Sequence, residues 1–139
     1  MGLKLTKEVW NEWAKENGIK YFKFEEFVKE EGGFIDSDLV RKMEKLREYC
    51  GFSLVITSGY RSAKKNEEVG GASHSYHLRG EAVDVSIANF SPSMLYRLLK
   101  GAFVVGFGGI ILYPAHVHLD IRGVEMFKVS DYNKQSKKT

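Results

Sequence analysis

Four histidines are the whole imidazole supply of this 139-residue chain, and they fall in two short segments. His74 and His77 lie in "SHSYHLRGEAVDVS" (73–86), His116 and His118 in "PAHVHLD" (114–120). Imidazoles close to carboxylates can move protons or bind a metal ion. Successive strand residues point to opposite faces. If "HVHLDIRG" is extended, His116, His118 and Asp120 therefore share one face, while Val117, Leu119 and Ile121 take the other. By the same parity Asp84 goes with Ala82 and Ser86, and Glu81 with Val83 and Val85. The apolar sets are core-directed, and the polar sets read as a site. His77, Asp84 and His118 make a sensible zinc sphere, because catalytic zinc takes three such ligands at ~2.0–2.2 Å plus a water. The plainer reading of each histidine is a half-buried hydrogen-bonding group, and the spacing His-x6-Asp with a distant His leaves both open. Cys50 is the only cysteine, so neither an intramolecular disulfide nor a cysteine zinc cluster can form. It reads as a small buried apolar residue with no role in chemistry.

Several elements must position these residues. Leu5, Val9, Trp10 and Trp13 recur at helical spacing, with Thr6 as N-cap and Gly18 as stop. "KFEEFVKEEGG" predicts a short second helix. "DSDLVRKMEKLREYCG" predicts a third, with Leu39, Met43, Leu46 and Tyr49 on one face and acidic residues at its start. "FSLVIT" (52–57) reads as a strand and "SGYRSAKKNEEVGGAS" as a long loop. After the strand "EAVDVSI" come a helix "SPSMLYRLLKGA" with Pro92 in its first turn, a glycine-interrupted strand "VVGFGGIILY", and the strand "HVHLDIRG". Helices first, then strands with one inserted helix, predict an α+β domain with a small, mostly antiparallel sheet. The helices are expected to pack on one side of it. The whole of 1–139 is expected to form one domain, with 128–139 as a mobile tail.

Composition narrows the classes. At 43% hydrophobic and 28% charged residues the chain matches folded globular domains. No run reaches the ~18 apolar residues of a transmembrane helix, and "MGLKLTKEVWNEWAKENG" lacks the pattern of a secretory signal. Gly2 and Thr6 fit a loose myristoylation pattern that is common by chance. The net charge of +3 favours polyanions only non-specifically, and much of it lies in "NKQSKKT". A nucleic-acid-binding domain would rest on that charge alone, since no binding motif accompanies it; nucleic acid is not an expected partner.

Three segments carry a resemblance: "SGYRS" (58–62), "SYHLRGEAVDV" (75–85) and "HVHLDIRG" (116–123). They resemble the zinc D-Ala-D-Ala peptidases, peptidase family M15. That family includes D,D-carboxypeptidases and bacteriophage L-alanyl-D-glutamate endolysins, with the hedgehog signalling domain as a distant relative. The pattern Ser-x-His-x-x-Gly-x-Ala-x-Asp is met by Ser75, His77, Gly80, Ala82 and Asp84. The similarity runs from about Phe22 to Gly123. It implies that His77, Asp84 and His118 hold one zinc ion, that Arg61 holds a substrate carboxylate or peptide carbonyl, and that Ser75 hydrogen-bonds near ligand or substrate. It further implies metal-assisted hydrolysis of amide bonds in peptidoglycan or muropeptide stems, by a monomer.

One position departs from the family pattern: many members carry a carboxylate three residues before the last zinc histidine, and here that residue is Ala115. Two candidates remain on the ligand-bearing face. Asp120 is expected as general base and His116 as stabiliser of the oxyanion; alternatively Asp120 orients His118 by accepting from its ring. The missing acid also feeds a rival expectation, a catalytically inactive zinc-containing binding module of the same fold. With no export signal in view, the expectation for an active enzyme is a phage endolysin, cytoplasmic until released to the cell wall.

Overall fold

A computed structural model describes residues 2–131. It shows the α+β class, with a five-stranded, mostly antiparallel sheet. The first half is helical. Lys7–Glu16 (α1) starts after Thr6, whose side chain makes no capping bond, and Gly18 ends it with φ +67°. Phe24–Phe27 (α2) is a single turn. Ser37–Cys50 (α3) starts where Asp36 Oδ1 accepts from the Asp38 amide at 2.7 Å and stops at Gly51. Two short strands, Lys4–Leu5 (β1) and Ile35–Asp36 (β2), pair antiparallel and tie the N-terminus to the start of α3.

The main sheet holds Ile56–Ser58 (β3), Ala82–Ser86 (β4), Gly109–Leu112 (β5), His116–Asp120 (β6) and Met126–Val129 (β7), in the order β3-β4-β6-β5-β7. Val83, Val85, Ile110, Val117 and Leu119 enter the core with Leu39, Met43 and Leu46 of α3. Leu98 and Ala102 of Pro92–Val105 (α5) join them, and α3 and α5 pack against each other. Cys50 lies in this core, where burial pushes its thiol up to about 11, which fits an inert side chain.

Five boundaries differ from the sequence reading. Residues 58–73 are not all loop: Ala63–Glu68 (α4) forms after Ser62, whose hydroxyl accepts from the Lys65 amide. A 3-10 turn, Tyr76–Arg79, follows. Helix α5 runs on through Phe103, Val104 and Val105 to Gly106 before any strand begins. Helical spacing of Leu98, Gly101 and Ala102 toward the core outweighs the β-propensity of that run, whose Phe103 and Val104 face solvent. The expected strand 52–57 shortens to Ile56–Ser58. Finally, β7 pairs parallel with β5, so Lys128 and Val129 are strand rather than tail; residues 132–139 of the expected tail, including "NKQSKKT", lie outside the described residues.

The strand parity read from the sequence holds, with one addition. Ala82 pairs with Asp120, Asp84 with His118 and Ser86 with His116, so the polar residues line up across two strands. That face is largely closed to water: Ala82, Asp84, His118 and Asp120 are buried, and Ser86 and His116 at its other end are half-buried. Arg61, Asn66 of α4 and the 3-10 turn lie against it. The turn is closed by Gly80, at φ +66° and with its carbonyl accepting from the Asp36 amide. A Cβ there would stand 2.8 Å from the Phe34 carbonyl oxygen. Gly80→Ala is expected to lower the unfolding free energy by about 1–2 kcal/mol from the left-handed backbone alone, read as a lower urea midpoint at unchanged m-value.

Candidate metal centre

Each ligand candidate is placed by a different element, and each has its far side fixed. His77 sits in the 3-10 turn that Ser75 caps, the Ser75 hydroxyl accepting from the His77 amide at 3.1 Å. Its Nδ1 lies 2.7 Å from the Gly59 carbonyl oxygen. A carbonyl can only accept, so Nδ1 carries the proton and Nε2 presents a lone pair. Gly59 is required for this approach, since a Cβ would meet the Phe27 carbonyl oxygen at 2.2 Å. His118 is fixed in the mirrored sense. Its Nε2 donates to Asp120 Oδ2 at 2.7 Å, leaving the Nδ1 lone pair to face Asp84.

Asp84 receives both rings. Its Oδ1 lies 3.3 Å from His77 Nε2 and 3.3 Å from His118 Nδ1. Its Oδ2 accepts from the Arg61 guanidinium at 3.2 Å. The three residues are 0%, 4% and 1% exposed for His77, Asp84 and His118, so three lone-pair atoms converge where water cannot separate them. Such an arrangement is repulsive unless a proton or a cation lies between the atoms. Two atoms bound to one tetrahedral ion at ~2.0–2.1 Å stand about 3.3–3.4 Å apart, and the observed separations match that edge. The group can hold a metal ion: all three ligand atoms lie within 4.8 Å of one another.

Titration follows the same geometry. Burial would raise the Asp84 carboxyl, but the imidazoles of His77 and His118 hold it below the usual carboxylate range. Burial lowers the proton affinity of His77 against the pull of Asp84, and lowers that of His116 as well. At His118 burial acts the same way but is outweighed by the bonds to Asp120 and Asp84, which raise it, so that a proton can bridge Nδ1 and Asp84 Oδ1 until a cation takes its place. His77 and His116 are thus held neutral, as metal coordination or base chemistry requires.

The other sequence-predicted residues also reach this place, in roles that geometry distinguishes. Arg61 is buried with its guanidinium turned inward, bonding Ser58 Oγ, Asn66 Oδ1 and Asp84 Oδ2. In this arrangement it orients Asp84. Ser75 is likewise buried and engaged with the His77 backbone. Asp120 has about four acceptor positions, and all are used: Oδ1 by the Arg122 amide and Nε, Oδ2 by Arg122 Nη2 and His118 Nε2. Burial would raise its carboxyl, yet the Arg122 and His118 bonds hold it well below the usual range. This is the arrangement of a carboxylate that orients His118, the alternative to a base. His116 has no such attachment. Its Nε2 is buried, has no hydrogen-bond partner among the described residues, and lies 3.8 Å from Asp84 Oδ1. Arg122 and Tyr113, whose ring stacks on His116, escaped the sequence reading. Strand parity carried through β5 would have found Tyr113, because Ile111 pairs with His118 and Gly109 with Asp120.

Asp84→Ala is expected to abolish metal retention, since it removes the atom on which both rings converge. Asp120→Ala should leave the three ligands but weaken metal binding about 10–100-fold, measured by chelator competition; unchanged affinity would remove Asp120 from the orienting role.

A comparison with curated proteins finds no match for the chain. A family model described as Peptidase M15 matches residues 17–120, well over half of the chain and a span that includes His77, Asp84 and His118. The members of that family are metallopeptidases, as the converging His-Asp-His group leads one to expect, and the chain belongs to the peptidase M15 family.

Proposed function

We propose that the chain is a zinc-dependent peptidase that hydrolyses amide bonds in the stem peptides of bacterial peptidoglycan. The observation that carries this reading is the convergence of His77 Nε2, Asp84 Oδ1 and His118 Nδ1, with each far atom already bonded. A donor set of two imidazoles and a carboxylate suits zinc best among the common divalent ions, although manganese or cobalt can occupy it. The stem-peptide substrate rests on the resemblance of the ten-residue motif from Ser75 to Asp84. A D,D-carboxypeptidase and an endopeptidase, including an endolysin acting at the wall after release, are both compatible with it.

When bound, zinc supplies a Lewis acid for the scissile carbonyl and lowers the pKa of a water to about 7. His116 is the base in this reading. Its neutral Nε2 is the unbonded nitrogen beside the ligand group, whereas Asp120 is committed to His118 and Arg122. Nε2 takes a proton from the attacking water as the carbon–oxygen bond forms. It returns that proton to the amide nitrogen as the carbon–nitrogen bond breaks, so the net change is addition of one water. Arg61 keeps Asp84 in place and, with Lys29, Glu30, Thr57, Gly59 and Lys65, lines a cleft of about 320 Å³ that adjoins the ligand group through Arg61. A carboxylate-bearing stem laid in this cleft would meet Lys29 and Lys65, with Glu30 beside them; contacts of Arg61 and Ser75 with the substrate belong to this proposal.

A second reading is favoured by two observations, the burial of all three ligands and the absence of an acid at Ala115: a metal-containing binding module without turnover. Incubating the zinc-loaded protein with peptidoglycan and defined stem peptides, beside a chelator-treated sample, separates the two by mass spectrometry. Chelator-sensitive loss of a terminal D-alanine identifies a carboxypeptidase, and internal scission an endopeptidase. Metal retention with no product selects the binding module. In an active protein, His116→Ala is expected to keep its metal and lose about 10²–10⁴-fold in kcat; wild-type turnover would return the base to another group.

A further inference from the structure

We infer that Tyr113 is the positioning residue for His116, fixing by ring stacking the imidazole of the site whose Nε2 has no hydrogen-bond partner among the described residues. The inference deepens the proposed function and rests on His116 acting as its base.

The sequence sets up the contact locally. A residue before proline is biased to extended backbone, so Pro114 continues the direction of β5 through Tyr113. The chain then reverses over Pro114 and Ala115, and the Tyr113 amide donates to the His116 carbonyl at 2.9 Å. With Ile111 opposite His118 and Gly109 opposite Asp120, Tyr113 falls opposite His116 on the ligand-bearing face. The two rings stack with centroids 4.6 Å apart and planes 20° from parallel. Tyr113 is buried, and the charges that reach its phenol are those of Asp84 and Arg61.

The other imidazoles show what this contact replaces. His77 is locked by the Gly59 carbonyl and His118 by the Asp120 carboxylate, but His116 Nε2 has no partner among the described residues. An imidazole turns about its Cβ–Cγ bond over a broad, shallow torsional profile. With no partner for Nε2 among the described residues, the stacked phenol is what keeps the ring plane aimed so that Nε2 stands beside Asp84 Oδ1. A face-on aromatic contact can hold a plane while leaving both ring nitrogens available, which a base needs and an anchored ligand does not.

The test pairs Tyr113→Leu, which removes the ring, with Tyr113→Phe, which keeps it, in the zinc-loaded full chain. Two readouts are taken: steady-state kinetics on a stem peptide, and the ring-proton resonances of His116, assigned by their loss in His116→Gln. The expected result is an upfield ring-current shift of the His116 protons in the wild type and in Tyr113→Phe that disappears in Tyr113→Leu. Alongside it, kcat falls about 10–100-fold in Tyr113→Leu, with KM and zinc content unchanged, and Tyr113→Phe recovers most of the loss. Wild-type kcat in Tyr113→Leu overturns the inference. So does a Tyr113→Phe as impaired as Tyr113→Leu, which would transfer the role to the hydroxyl. A wild type that shows the ring-current shift and holds zinc but cleaves no stem peptide overturns the peptidase reading and this inference with it, an outcome distinct from the other two.

Discussion

Three lone pairs brought together in a dry place are the constraint that organises this molecule. His77 Nε2, Asp84 Oδ1 and His118 Nδ1 face one another at separations suited to a shared cation, and all three residues are buried. Without a proton or a cation between them, these groups would repel and would be better solvated in water. The fold keeps them together by fixing each from behind, and a metal ion turns the repulsion into binding. Much of the surrounding polar structure serves that end. The Gly59 carbonyl, the Asp120 carboxylate and the Arg61 guanidinium each occupy the atom of a ligand that must not point inward.

Those supports reach back to the backbone. Arg61 is itself held by Ser58 and by Asn66, whose amide donates to the Ala72 carbonyl. The Arg61 amide donates to the His77 carbonyl, so the segment that carries Arg61 is bound to the turn that carries His77. On the opposite side Arg122 clamps Asp120 through both oxygens and lies over the Tyr76 ring, in the turn beside His77. The two ligand-bearing regions, the 3-10 turn and strand β6, are thus linked outside the ligands themselves. Binding a metal to such a preorganised group loses little conformational freedom.

Catalysis asks for the opposite at one position. A group that moves protons must stay unbonded until substrate arrives, and His116 is the imidazole near the ligands whose Nε2 has no hydrogen-bond partner among the described residues. The contrast between His116 and Asp120, each two residues from His118 on the same strand face, shows why residue type and parity could not assign their roles. Both point to the same side of the sheet; Asp120 meets the guanidinium of its own neighbour Arg122, and His116 meets the ring of Tyr113 across the hairpin.

Local physics made a good part of this legible in the sequence. Strand parity, a property of two consecutive residues, put His116, His118 and Asp120 on one face and the valines and Leu119 on the other, as the register of β4 and β6 shows. Glycine and aspartate stops and caps marked α1 and α3, and the motif from Ser75 to Asp84 pointed to the family. Propensity failed where long-range packing outweighed it: Phe103–Val105 stayed helical because α5 already faced the core through Leu98 and Ala102. It failed again where β7 joined the sheet by pairing with β5, a partner that nothing within its own residues names. Which ring nitrogen faces the metal position, that Arg61 turns inward to Asp84, and that Asp120 is fully engaged were decided by tertiary structure alone. Each depends on which acceptor or donor a distant segment brings within hydrogen-bonding distance, and the identity of a side chain does not contain that information.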